Sequence, residues 1–130
     1  FGMLTIQFES EDFKAQELRE YLQENGLLQD MEATIVSARK EGLSYFHDLL
    51  EIIIKADLPK ELVVSMLSGV IGFAGRKALE FIAPNPHILV RFSNGQETKI
   101  SYKGKSDKSI VKELLAYIDE GDVVRVVFKS

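Results

Sequence analysis

The chain has 130 residues, 45% of them hydrophobic and 28% charged, with a mean hydropathy near zero, a net charge of −4 and no cysteine. That length suits one domain over residues 1–130. Such a chain buries about two-thirds of the surface it exposes when unfolded, so it needs neither disulfides nor a structural metal. Lack of cysteine excludes disulfides, thiolate metal sites and cysteine nucleophiles, and the acidic balance argues against unspecific nucleic-acid binding.

Charge is unevenly placed. Residues 1–65 hold 13 acids and 6 bases, and residues 66–130 hold 7 acids and 10 bases, so −7 faces +3. No basic start followed by an apolar run marks a signal peptide, and a cytoplasmic location is expected. Phe1-Gly2 ahead of Met3 reads as a cloning remnant.

Leu4, Ile6 and Phe8 alternate with Thr5 and Gln7 and predict a half-buried strand. Ser10 is placed to cap a helix carrying Phe13, Leu18, Tyr21 and Leu22, with Gly26 as its stop. Residues 32–38 read as a second strand, and a strand–helix–strand unit of this length favours a right-handed parallel crossover. Gly42 then breaks the chain. The run Leu49-Leu50-Glu51-Ile52-Ile53-Ile54 fits strand or helix. The recurrence of Tyr45, Leu49, Ile52 and Ile53 at three and four favours a helix over residues 43–56.

Pro59 suits the first turn of a further helix, running to about Ile82 and stopped by Pro84 and Pro86. Asn94-Gly95 marks a hairpin within residues 88–102. A three-residue turn, Ser93-Asn94-Gly95 with Gly95 left-handed, sets Ile88 against Ile100, Val90 against Thr98 and Arg91 opposite Glu97. Ser106 or Asp107 caps a last helix with the apolar stripe Ile110, Val111, Leu114, Leu115 and Ile118, ended by Gly121. Val123 to Phe128, apolar on both faces, predicts a central strand. The expected fold is α/β (α+β). A mixed five-stranded sheet, in the order β-α-β-α-α-β-β-α-β, carries helices that include a hairpin of residues 43–56 with the long helix.

Catalytic chemistry is hard to place. His47 and His87 lie far apart with no second ligand at metal spacing. Ser37-Ala38-Arg39-Lys40 matches a serine–x–x–lysine pattern, but that serine belongs at a helix start and here ends a strand. Gly69 to Lys77 lacks phosphate-loop spacing. No catalytic, cofactor or metal residue is assigned, and a non-enzyme is expected.

Two interaction features stand out. Lys99, Lys103, Lys105, Lys108 and Lys112 cluster near one hairpin end. They could grip phosphates or an acidic partner surface, or form a solvated edge that resists aggregation. In the long helix, Ser65, Ser68, Gly69, Gly72 and Gly75 gather on one face, and its core of 13 residues, Leu62 to Ala74, carries no charge. A membrane span needs about 20 residues, so a buried core helix is expected. Three glycines weaken a helix by roughly 0.5–1 kcal/mol each, so close packing is expected on that face. The neighbour is the preceding helix, the sheet, or the same helix of a second subunit in a homodimer.

The leading strand, the first helix with Glu17-Leu18-Arg19-Glu20-Tyr21-Leu22, the short strand, the small-residue helix Ser65 to Ile82, the hairpin Leu89-Val90-Arg91-Phe92-Ser93-Asn94-Gly95 and the terminal amphipathic helix together resemble the effector-associated constant component family of bacterial conflict systems. The resemblance covers nearly the whole chain. It rests on hydrophobic and turn patterns and offers no site motif to carry over. It implies a non-enzymatic adaptor that accompanies a peptidase, nucleotide-hydrolase or TIR-type effector in anti-phage defence. The rival reading is an immunity protein whose acidic N-terminal half masks a toxin or nuclease. An enzyme of unrecognised type is the third.

Overall fold

The computed structural model describes residues 3–39 and 46–130, without the side chains of residues 38, 39, 46 and 47. The elements are β1 (Leu4–Ser10), α1 (Ala15–Glu24), β2 (Glu32–Arg39), β3 (Phe46–Ile54), α2 (Lys60–Glu80), β4 (His87–Phe92), β5 (Glu97–Ser101), α3 (Asp107–Glu120) and β6 (Val123–Lys129). The fold is α+β, with helices on one face of a mixed six-stranded sheet ordered β2-β3-β1-β6-β4-β5. The β1–β6 pair at the centre is parallel, and the other neighbours are antiparallel.

The expected helix over residues 43–56 is a correction. Gly42 and Tyr45 lie outside the described residues, and Phe46–Ile54 is a strand. Leu50, Ile52 and Ile54 are fully buried at a period of two, while Glu51 and Ile53 between them are only partly buried. Three consecutive isoleucines favour the pleated conformation, where branching at Cβ is not crowded by a preceding turn. The sheet therefore gains a sixth strand, and the expected helical hairpin is replaced by a strand feeding α2. β1 and β2 do run parallel across α1, but β3 sits between them.

Elsewhere the local signals hold. Gly26 (φ 65°) follows the end of α1, and Ser106 Oγ accepts the Ser109 N–H at 3.2 Å at the start of α3. The hairpin has the expected register: Ile88 faces Ile100, Val90 faces Thr98, Arg91 faces Glu97, and Gly95 has φ 87°. β6 is central, as its two-sided apolar pattern predicts. Ser10 does not cap α1. Its Oγ accepts the Asp12 N–H at 3.0 Å in a local turn, and the helix starts at Ala15.

One core lies between sheet and helices. Ile6, Phe8, Ile52, Val90, Ile100 and Val126 face Leu18 and Leu22 of α1, Val63, Leu67 and Ile71 of α2, and Ile110 and Leu114 of α3. By length and composition α2 could cross a membrane, but its apolar side forms this core, as in a core helix of a small soluble domain. The opposite sheet face carries a polar ladder. Arg125 Nη2 donates to Gln7 Oε1 at 2.9 Å, Gln7 Nε2 donates to Glu51 Oε1 at 3.2 Å, and Arg125 Nη1 lies 3.7 Å from Glu9. The chain's charge split also maps onto space. The acidic first half builds β2-β3-β1 with α1, and the basic second half builds β6-β4-β5 with α3.

Candidate interaction groove at the end of helix α2

α2 has two unlike sides. Val63, Met66, Leu67, Val70 and Ile71 are fully buried against the sheet. Ser65, Ser68, Gly69, Gly72 and Gly75 lie on the opposite side, with both serines exposed and the glycines half-buried. The expected close approach is real at two glycines, and its donors come from the same chain. A Cβ on Gly69 would collide with Leu27 Cδ1 and lie 3.2 Å from Leu22 Cδ2; on Gly75 it would lie 3.3 Å from Tyr102 Cε1. The neighbours are thus the loop after α1 and the residue after β5, neither of which was foreseen. At Gly72 a Cβ would have ordinary contacts, 3.5 Å to Asp107 Oδ2 and 3.6 Å to Arg76 Nη1.

Gly72 and Gly75 floor a groove of about 620 Å³. Tyr102 forms one wall and donates through its hydroxyl to the Ile71 carbonyl oxygen at 3.1 Å. Burial, then the Asp107 carboxylate, pushes the Tyr102 phenol above its ordinary range, so it stays protonated. Arg76, Lys103 and Asp107 supply the charged groups, and Leu79, Ile82, Pro84 and Pro86 form an apolar rim. The Arg76 guanidinium also sits 5.1 Å from the centre of the Tyr21 ring.

The end of α2 brings apolar side chains to this rim. The Ile82 N–H bonds to the Leu79 carbonyl and the Ala83 N–H to the Ala78 carbonyl, the two bonds of a Schellman cap. That cap requires a left-handed residue, usually glycine, and here it is Ile82 with φ 51°. A left-handed residue other than glycine costs roughly 1–2 kcal/mol, and a β-branched one there is a true outlier. Ile82 is 86% exposed, Leu79 79% and Phe81 60%. The strain is therefore not offset by burial within the chain.

These three residues were missed in the sequence. Leu79 had a legible signal: it follows Gly72 by seven residues and Gly75 by four, so it lies on the same outward face as the small residues. Ile82 had none, because a left-handed isoleucine is not foreseeable from turn chemistry.

The five lysines come from three adjoining segments. Lys103 lines the groove, Lys105 pairs with Glu113 at 2.8 Å, Lys99 projects from edge strand β5, and Lys108 and Lys112 are exposed on α3. His87 Nδ1 donates to the Asn85 carbonyl at 2.8 Å, and Ser37 Oγ bonds Asp48 Oδ1 at 3.0 Å. The His47 side chain and Lys40 lie outside the described residues. Among the described residues no three His, Cys, Asp or Glu side chains gather to hold a metal. A second hollow, of about 560 Å³ and lined by residues such as Asp12, Lys14, Glu17 and Lys77, opens where β1 meets α1.

Fold and groove together define a small α+β domain with an exposed apolar rim beside a charged cleft. Compared with protein families, curated proteins and solved structures, the chain has no significant match.

Proposed function

We propose that this chain is a non-catalytic, cytoplasmic protein-interaction domain of the adaptor kind, docking through the groove at the end of α2. The observation that carries this reading is Ile82, a strained left-handed residue held 86% exposed beside Leu79 on the rim of a cleft. Such strain in ordinary proteins concentrates where function requires a particular side chain. The occupant is an apolar segment of a partner protein carrying an acidic residue. Arg76 and Lys103 outnumber Asp107 in the cleft, and Asp107 stands in the first turn of α3, whose N-terminus offsets its charge. The resemblance to the effector-associated constant components supplies the partner's class, an effector enzyme of a prokaryotic defence system.

Co-expression with the proteins encoded beside it tests the proposal. An effector enzyme should co-purify with the wild type and be lost from Leu79→Asp, a change at an exposed position that should alter stability by about 0.5 kcal/mol or less. Equal retention by both would remove the groove from the account, and a toxin or nuclease as the retained partner would replace the adaptor reading with the immunity reading.

A further inference from the structure

The two edges of the sheet are protected unequally. β5 is five residues long, and its exposed positions Glu97 and Lys99 are charged. Short length and charge, lysine above all, are the usual protections of an edge strand. β2 is eight residues long, and Ala33-Thr34-Ile35-Val36-Ser37-Ala38 between its ends carries no charge and no proline. Its register with β3 runs unbroken from Glu32 to Arg39, so no bulge turns the edge away. Every second residue of such a strand directs its N–H and C=O outward, away from β3.

We propose that β2 pairs antiparallel with β2 of a second copy, joining the two sheets into one across a two-fold axis normal to the sheet. The occupant is a second copy because the strand complements itself. Asp30 and Glu32 precede the uncharged run, while Arg39 follows it. Antiparallel pairing brings the acidic end of one copy beside the basic end of the other, whereas parallel pairing would align like with like. The two-fold axis keeps each side chain on its own face, so Ile35 meets the second copy's Ile35, or Val36 meets Val36. Both registers place β-branched residues opposite one another, a favourable cross-strand pairing. The acidic halves also approach across this interface. Their long-range repulsion opposes the local attraction between strand ends, so the dimer is weak; added salt screens charges beyond about 8 Å more than it screens close pairs, so the dimer strengthens as salt rises. This inference is independent of the groove, none of whose lining residues belongs to β2.

Analytical ultracentrifugation of the full chain from about 10 μM to about 1 mM reads the association, that range corresponding to roughly −7 to −4 kcal/mol. The variant is Thr34→Lys with Ser37→Lys. Each new lysine gains a cross-strand carboxylate in its own chain, Glu51 or Asp48, so the monomer fold is retained. A wild type that dimerises with rising concentration, more strongly at higher salt, with the double variant monomeric throughout, supports the proposal. A monomeric wild type over the whole range overturns it, as does a dimer the variant leaves intact. Amide exchange provides a second reading that needs no variant: β2 amides should slow at the high concentration, and unchanged exchange there overturns the pairing.

Discussion

The Tyr102 hydroxyl donates a 3.1 Å hydrogen bond to the Ile71 carbonyl oxygen, joining the end of the β4–β5 hairpin to the middle of α2. Gly75 makes the approach possible, because the ring passes over the position where a side chain would begin. The contact fixes one wall of the groove against its floor.

Tyr102→Phe should therefore lower stability by about 1 kcal/mol, the net worth of one hydrogen bond, since the Ile71 carbonyl keeps its helical partner. The pH dependence has a definite sign. In the unfolded chain this phenol titrates near its ordinary value of 10.0, while burial keeps it protonated to higher pH in the fold. Above that value the unfolded state binds fewer protons than the folded one, so stability is full below pH 10.0 and falls as pH rises beyond it. Urea midpoints between neutral and strongly alkaline pH should show a steeper alkaline loss for wild type than for Tyr102→Phe. Parallel curves would contradict the buried phenol.

Gly69 and Gly72 of α2 should respond differently to alanine. At Gly72 the new methyl meets only ordinary contacts, so relief of the glycine penalty should stabilise the chain by roughly 0.5–1 kcal/mol. At Gly69 it would press on Leu27 and on the fully buried Leu22. Overpacking costs typically about 1–3 kcal/mol and should exceed the same gain. Thermal melts should place Gly72→Ala above wild type and Gly69→Ala below it. The reverse order would show that the loop after α1 does not pack on Gly69.

Local chemistry was legible where one residue type has one geometric use. Gly95 at a left-handed turn position announced itself, the helix start was narrowed to Ser106 or Asp107, and the apolar faces of β4 and β5 chose the hairpin register. Residues 49–54 were not legible by period, because a run apolar on nearly every residue satisfies both the helical and the strand templates. Their assignment depended on β1, which pairs with β3 residue by residue from Leu4–Ile54 to Phe8–Leu50, a long-range contact no local window contains. The small-residue stripe was found, but its neighbours were not. Leu27 and Tyr102 reach Gly69 and Gly75 from loops whose course is set only by the assembled sheet. The rim escaped because an isoleucine in a glycine conformation violates the turn rules on which sequence reading relies.

The proposed docking role of Ile82 implies a residue kept at a cost to the fold. Its most direct test measures stability and partner retention together on Ile82→Gly. Glycine adopts the left-handed cap freely, and little burial is lost at a residue 86% exposed. Relief of roughly 1–2 kcal/mol of left-handed strain, less roughly 0.5–1 kcal/mol for glycine's freedom in the unfolded chain, predicts a more stable protein. A raised unfolding midpoint together with loss of the co-purifying partner is expected. A variant that is more stable and still holds its partner would contradict that role.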